Sequence, residues 1–148
     1  MPNDYDDKLR ILFENVEDKI TMRERVIAQN RAEAIKFLNR IVLPAYRHVQ
    51  DFAAEQGYET EVRDNFSHND EFPVLQLTIE FNAKDRFGYQ VKVRYNDFQI
   101  LARPYVLDVA SQDFYQTSWA TTGGYFIYAV TTDMIKDSII NEIYRTLK

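Results

Sequence analysis

A row of apolar residues at Ile35, Leu38, Val42, Ala45, Val49 and Phe52 constrains this chain more than any other stretch. Steps of three and four place all six on one side of an α-helix. A helix striped in this way has to lay that side on something apolar. The spacing therefore predicts a long helix from about Thr21 to Gly57, with the rest of the chain built against it. Gly57 suits the end, because glycine takes the left-handed conformation that often closes a helix. Pro44 falls inside the stretch. Proline lacks an N–H and its ring presses on the preceding turn, so a kink near Ile41 to Pro44, or a split into two helices, is expected.

Upstream, Leu9, Leu12, Phe13, Val16 and Ile20 form a second helical row between about Asn3 and Ile20. Asn3 or Asp4 can cap it, and Asp4, Asp6 and Asp7 sit where the helix dipole favours negative charge. Thr21 followed by Glu24 matches a capping box, so a fresh start is expected at Thr21. The expectation is two helices before Gly57.

Beyond Gly57 the period changes from about 3.6 to 2. Tyr58 to Phe66 alternates weakly, as an edge strand would. Phe72 to Asn82 alternates cleanly, with Leu75, Leu77, Ile79 and Phe81 opposite Gln76, Thr78 and Glu80. Phe87 to Tyr95 sets Tyr89, Val91, Val93 and Tyr95 against Gln90, Lys92 and Arg94. Asn96-Asp97 suits a tight hairpin turn, after which Phe98, Ile100 and Ala102 point inward. Pro104 is expected to end that strand or mark an edge, and Tyr105 to Asp113 reads as a connection. Two more strands, Phe114 to Thr121 and Tyr125 to Thr131, flank Thr122-Gly123-Gly124. Thr132 is expected to cap a last helix carrying Ile135, Ile139, Ile140, Ile143, Tyr144 and Leu147. This order predicts one α+β domain over residues 1–148, with two N-terminal helices, an antiparallel sheet of about five to six strands and a C-terminal helix packed on one sheet face.

Composition narrows the function. No cysteine is present among the 148 residues, which removes disulfides, thiolate metal sites and a cysteine nucleophile and fits a reducing compartment. No apolar run approaches the roughly 20 residues that span a bilayer, and the acidic beginning lacks a secretory pattern. A cytoplasmic location away from membranes is expected. The net charge of −5 disfavours nucleic acid.

The motifs with chemical content are few. Ser67-His68-Asn69-Asp70-Glu71 brings an imidazole near two carboxylates, so His68, Asp70 and Glu71 are the candidates for a general base or a divalent cation. Turn chemistry explains the same residues, and no metal or cofactor is expected. His48 has no second ligand at the four-residue spacing of a helical zinc pair. Ser111, Ser118 and Ser138 lack a nucleophile elbow. Gly123-Gly124 lacks the residues of a phosphate loop. The polar side of the sheet is the best binding surface, with Gln90, Lys92, Arg94, Arg103 and Tyr105 able to meet a charged or planar partner.

The function expected is non-catalytic: an adaptor binding a protein partner through a helix/sheet surface or groove. The abundance of aromatics for one small core, and the heptad-like spacing of the Ile35 to Phe52 row, add a homodimer. The alternatives are a small-molecule-binding or hydrolytic enzyme with a pocket between sheet and helix, and a nucleic-acid binder using the polar sheet face.

Overall fold

A computed structural model describes residues 4–117, 119 and 125–146. The Asn3 cap, Ser118, the Thr122-Gly123-Gly124 turn and Leu147 lie outside the described residues. Helix α1 runs over Asp4–Phe37, passes without interruption into a π turn at Leu38–Val42, and continues as α2 over Leu43–Glu55. Among the described residues six strands follow: β1 (Glu59–Asp64), β2 (Val74–Glu80), β3 (Arg86–Tyr95), β4 (Ile100–Asp108), β5 (Asp113–Gln116) and β6 (Tyr125–Phe126). A short 3₁₀ turn at Ile127–Ala129 leads to α3, Thr132–Thr146. The architecture is α+β, as expected.

The predicted break at Thr21 does not occur. A capping box stops a helix only where the backbone also leaves helical geometry. No glycine or proline lies between Asp4 and Phe37 to make it do so. The real irregularity sits just before Pro44. The Leu43 N–H reaches back to the Leu38 carbonyl, a bond five residues long. The wider turn accommodates a proline that cannot supply an N–H of its own, and Pro44 lies in the first turn of α2, where that loss costs least. Gly57, at φ +85°, ends the helix as read.

The sheet is a meander in the order β1-β2-β3-β4-β5, every pair antiparallel, with β6 on the same edge of β4 as β5 but further along. Leu75, Leu77 and Ile79 of β2 and Phe87, Tyr89, Val91 and Val93 of β3 face the helices and are buried. Against them pack Leu38, Val42, Ala45 and Tyr46 from the long helix and Ile135 and Ile139 from α3. At about 25 cal/mol per Å² of apolar area, this single layer of contacts is the main stabilising term of the body.

Four local expectations are corrected. Pro104 does not end β4 but lies buried in the middle of it. Its carbonyl accepts from Thr117 N at 3.1 Å. The N–H and C=O of one residue point to the same side of a strand, so its missing donor faces Thr117, just past the β5 pairing, where only the rung at the end of the ladder is given up. The supposed connection after Tyr105 is therefore strand to Asp108, then a turn in which Gln112 takes φ 61°. The turn after β3 spans Asn96 to Gln99, with the Asn96 side chain accepting from the N–H groups of Phe98 (2.7 Å) and Gln99 (3.0 Å). Phe98 is left 88% exposed, not inward. Finally, Thr131 caps α3, accepting from Met134 N. Thr132 instead donates to the Ile41 carbonyl at 2.8 Å and ties α3 to the π turn.

Candidate functional site

The outer face of the sheet assembles every predicted binding residue. In the β3–β4 register Gln90 lies opposite Tyr105 and Lys92 opposite Arg103, with Arg94 one step beyond. Lys92 Nζ stands 5.5 Å from the centre of the Tyr105 ring, within cation–π range. Gln90 donates to the Gln76 side chain at 2.8 Å. The cations are diluted, however. A shallow hollow of about 270 Å³ beside them is rimmed by Asp64 and Glu71 as well as Arg63 and Lys92. Further along this face Leu107 and Phe114 close over Gly88. The surface is mixed in charge and partly self-satisfied.

His68, Asp70 and Glu71 sit in a loop that the fold uses structurally. Arg31 on α1 donates to the carbonyls of Glu71 (2.9 Å), Phe66 (3.0 Å) and His68 (3.3 Å). Asn65 closes the loop's base, accepting from Val74 N (2.7 Å) and donating to the Phe72 carbonyl (2.9 Å). The three candidate side chains are exposed. Among the described residues, no group of three or more histidine or acidic side chains is placed to hold a metal ion.

Beneath α3 lies a polar cluster that the sequence did not announce. The Tyr89 hydroxyl donates to Ser138 Oγ (2.8 Å) and accepts from Trp119 Nε1 (3.0 Å). Four residues along α3, Glu142 is 2% exposed and accepts from Thr117 Oγ1 at 2.6 Å. Arg145 approaches the same carboxylate oxygen at 3.3 Å, while the other has no partner among the described residues. Tyr46 donates to the Leu75 carbonyl at 2.9 Å. Burial holds the hydroxyls of Tyr46 and Tyr89 well above the ordinary tyrosine range. Both phenols therefore stay neutral and serve as donors at any ordinary pH. These bonds join β3 to α3 and α2 to β2 and fill the interior.

The most distinctive surface is apolar. A groove of about 750 Å³ opens between α2, α3 and the outer ends of β1 and β2. Val49, Phe52 and Ala53 form one wall, Ile139, Ile140, Ile143 and Tyr144 the other, and Ile79 and Phe81 the floor. Phe52 is 62% and Ile140 61% exposed. His48, Gln56 and Tyr58 complete the lining. The helical periods assigned Val49, Phe52, Ile139, Ile140, Ile143 and Tyr144 to the core; Ile139 is buried there, while Phe52, Ile140 and Tyr144 stand largely open. The available signal was the doublets Ile139-Ile140 and Ile143-Tyr144. They widen the stripe of α3 beyond what one sheet face can cover.

No helix of the described residues is long and apolar enough to cross a membrane. No family model, curated protein or solved structure matches this chain.

Proposed function

We propose that the chain is a non-catalytic protein-binding module, acting in the cytoplasm, whose groove between α2 and α3 receives apolar side chains of a partner segment. The observation that carries this reading is the groove's chemistry. It is lined almost wholly by aliphatic and aromatic carbon, and large side chains stand open to water on both walls. Exposed contiguous apolar surface of this kind marks interaction sites, and a helix laid between two helices is a recurrent way of filling one. Of the groups suited to acid–base chemistry near neutral pH, the groove lining holds only His48 among the described residues, and His48 is exposed. The hydrolytic alternative built on His68, Asp70 and Glu71 has those side chains outside this groove and on a loop clamped by Arg31.

The test is native mass spectrometry of the chain purified gently from its own cells, with three variants beside it. A stoichiometric protein partner is expected, lost from Phe52→Glu and from Ile140→Glu but retained by Arg94→Glu on the outer sheet face. A small molecule held in place of a protein would overturn the reading. So would a partner lost only from Arg94→Glu.

A further inference from the structure

Residues 4–22 of α1 form a projecting arm. All of them are exposed, over a length of about 28 Å at 1.5 Å per residue. Past the arm, Arg23 faces Asp97 at 3.6 Å, and Asn30 and Arg31 also tie the helix to the body. Yet the arm is not built for water. Leu9, Leu12, Phe13, Val16 and Ile20 stand between 44% and 61% exposed on it, and Ile27 continues the row at 36%. Leu9, Val16 and Arg23 alternate with Phe13, Ile20 and Ile27 at heptad spacing, the seam of a two-stranded coiled coil.

Charge identifies what covers this seam. Asp4 to Glu17 carries five carboxylates against two cations, whereas Lys19 to Ala32 carries four cations against one carboxylate. The helix is acidic in its first half and basic in its second. An antiparallel copy of itself brings the acidic half of each along the basic half of the other, while a parallel copy sets like against like. The area is adequate. Six side chains with about half their surface open supply roughly 100 Å² each. Two arms then bury about 1,200 Å², the lower bound of a specific interface.

We propose that the chain forms a homodimer in which the arms of two copies pair antiparallel along the Leu9 to Ile27 seam, centred near Asp18. In this register Leu9 lies on Ile27 of the second copy, Val16 on Ile20, and Phe13 on the aliphatic stem of Arg23. The arm surface is separate from the groove between α2 and α3, so either assignment stands without the other.

The absence of native cysteine makes introduced thiols a clean test. Positions 9 and 27 lie about 27 Å apart along one helix, far beyond the reach of a disulfide within the chain. Under mild oxidation the double variant Leu9→Cys, Ile27→Cys is expected to form covalent dimers, and Leu9→Cys alone is not. Efficient linking of Leu9→Cys to itself would mean parallel arms and overturn the proposal. In sedimentation equilibrium the native chain is expected to be dimeric. Phe13→Glu should weaken that dimer roughly 100-fold, without moving the unfolding midpoint read from Trp119 fluorescence below the dimer concentration. A native chain monomeric at about 100 μM would also overturn it.

Discussion

The first and second halves of the long helix carry the same pattern and meet opposite fates. Leu9, Phe13, Val16 and Ile20 recur at the spacing of Leu38, Val42, Ala45 and Val49. The second row is buried or nearly so beneath the sheet and α3, while the first stands in solvent. Periodicity thus reports that a helix has an apolar side and says nothing about what covers it. What separates the halves is the length of the rest of the chain. A sheet with strands of ten residues or fewer spans at most about 34 Å. It cannot underlie a continuous helix from Asp4 to Glu55, on the order of 75 Å long.

The sharpest way to break this comparison is to truncate one residue in each half. Leu38→Ala, at a fully buried position, is expected to cost about 2–5 kcal/mol in urea unfolding. Leu12→Ala on the arm should stay within roughly 0.5 kcal/mol when measured on the monomer. Equal losses would mean that the arm folds back on the body. The interior bonds come next in size. Tyr89→Phe leaves Trp119 Nε1 and Ser138 without their shared partner and is expected to cost about 1–3 kcal/mol in the same measurement.

The same tyrosines set an alkaline limit. Their folded pKa values are raised, so above the unfolded value of about 10 the unfolded chain sheds protons that the folded chain keeps. Stability is full below pH 10 and falls above it, by about 1.4 kcal/mol per pH unit for each of Tyr46 and Tyr89. Tyr89→Phe should halve that slope in unfolding midpoints followed from pH 9 to pH 11. Unchanged slopes would place the titration elsewhere.

Gly88→Ala probes the other sheet face, where an added Cβ would meet Leu107 Cβ at 2.8 Å. A loss of about 1–3 kcal/mol is expected. The smallest effect concerns the start of α3, where Thr131→Ala should cost about 1 kcal/mol. A comparable loss from Thr132→Ala would show that its bond to Ile41 matters to the body as much as the cap does.

The legible parts of this fold are those where one local rule decides. β2 and β3 were readable because their large apolar side chains alternate and are buried on the helix side, the outer face of β3 being covered at Gly88. The end of the helix at Gly57 was readable because glycine met a change of period. Thr21 misled because its capping box satisfies a rule about side chains, while the backbone had no reason to leave the helix. Pro104 misled because the cost of a missing donor depends on which neighbour lies alongside, and that is a property of the sheet. The outer-face residues Gln90, Lys92, Arg94, Arg103 and Tyr105 were brought together as the alternation required. A groove between helix and sheet was expected, but not which residues line it. Val49, Ile79, Phe81 and Ile143 look in sequence like ordinary core, and only the placement of α2 and α3 over the sheet leaves a gap between them. Glu142 was equally hidden, since one acid on an amphipathic helix gives no sign of pointing inward.

The π turn at Leu38–Val42 also fixes an angle. It holds one more residue than an α turn, and each residue advances the helix by about 100°. Everything before it is therefore set back in azimuth by about that amount relative to α2. The compass direction in which Leu9, Phe13, Val16 and Ile20 look out from the body is dialled by this one widened turn beside Pro44. The same sequence wound as an ordinary α-helix through Leu38 to Val42 would keep its seam, and point the seam at a different horizon.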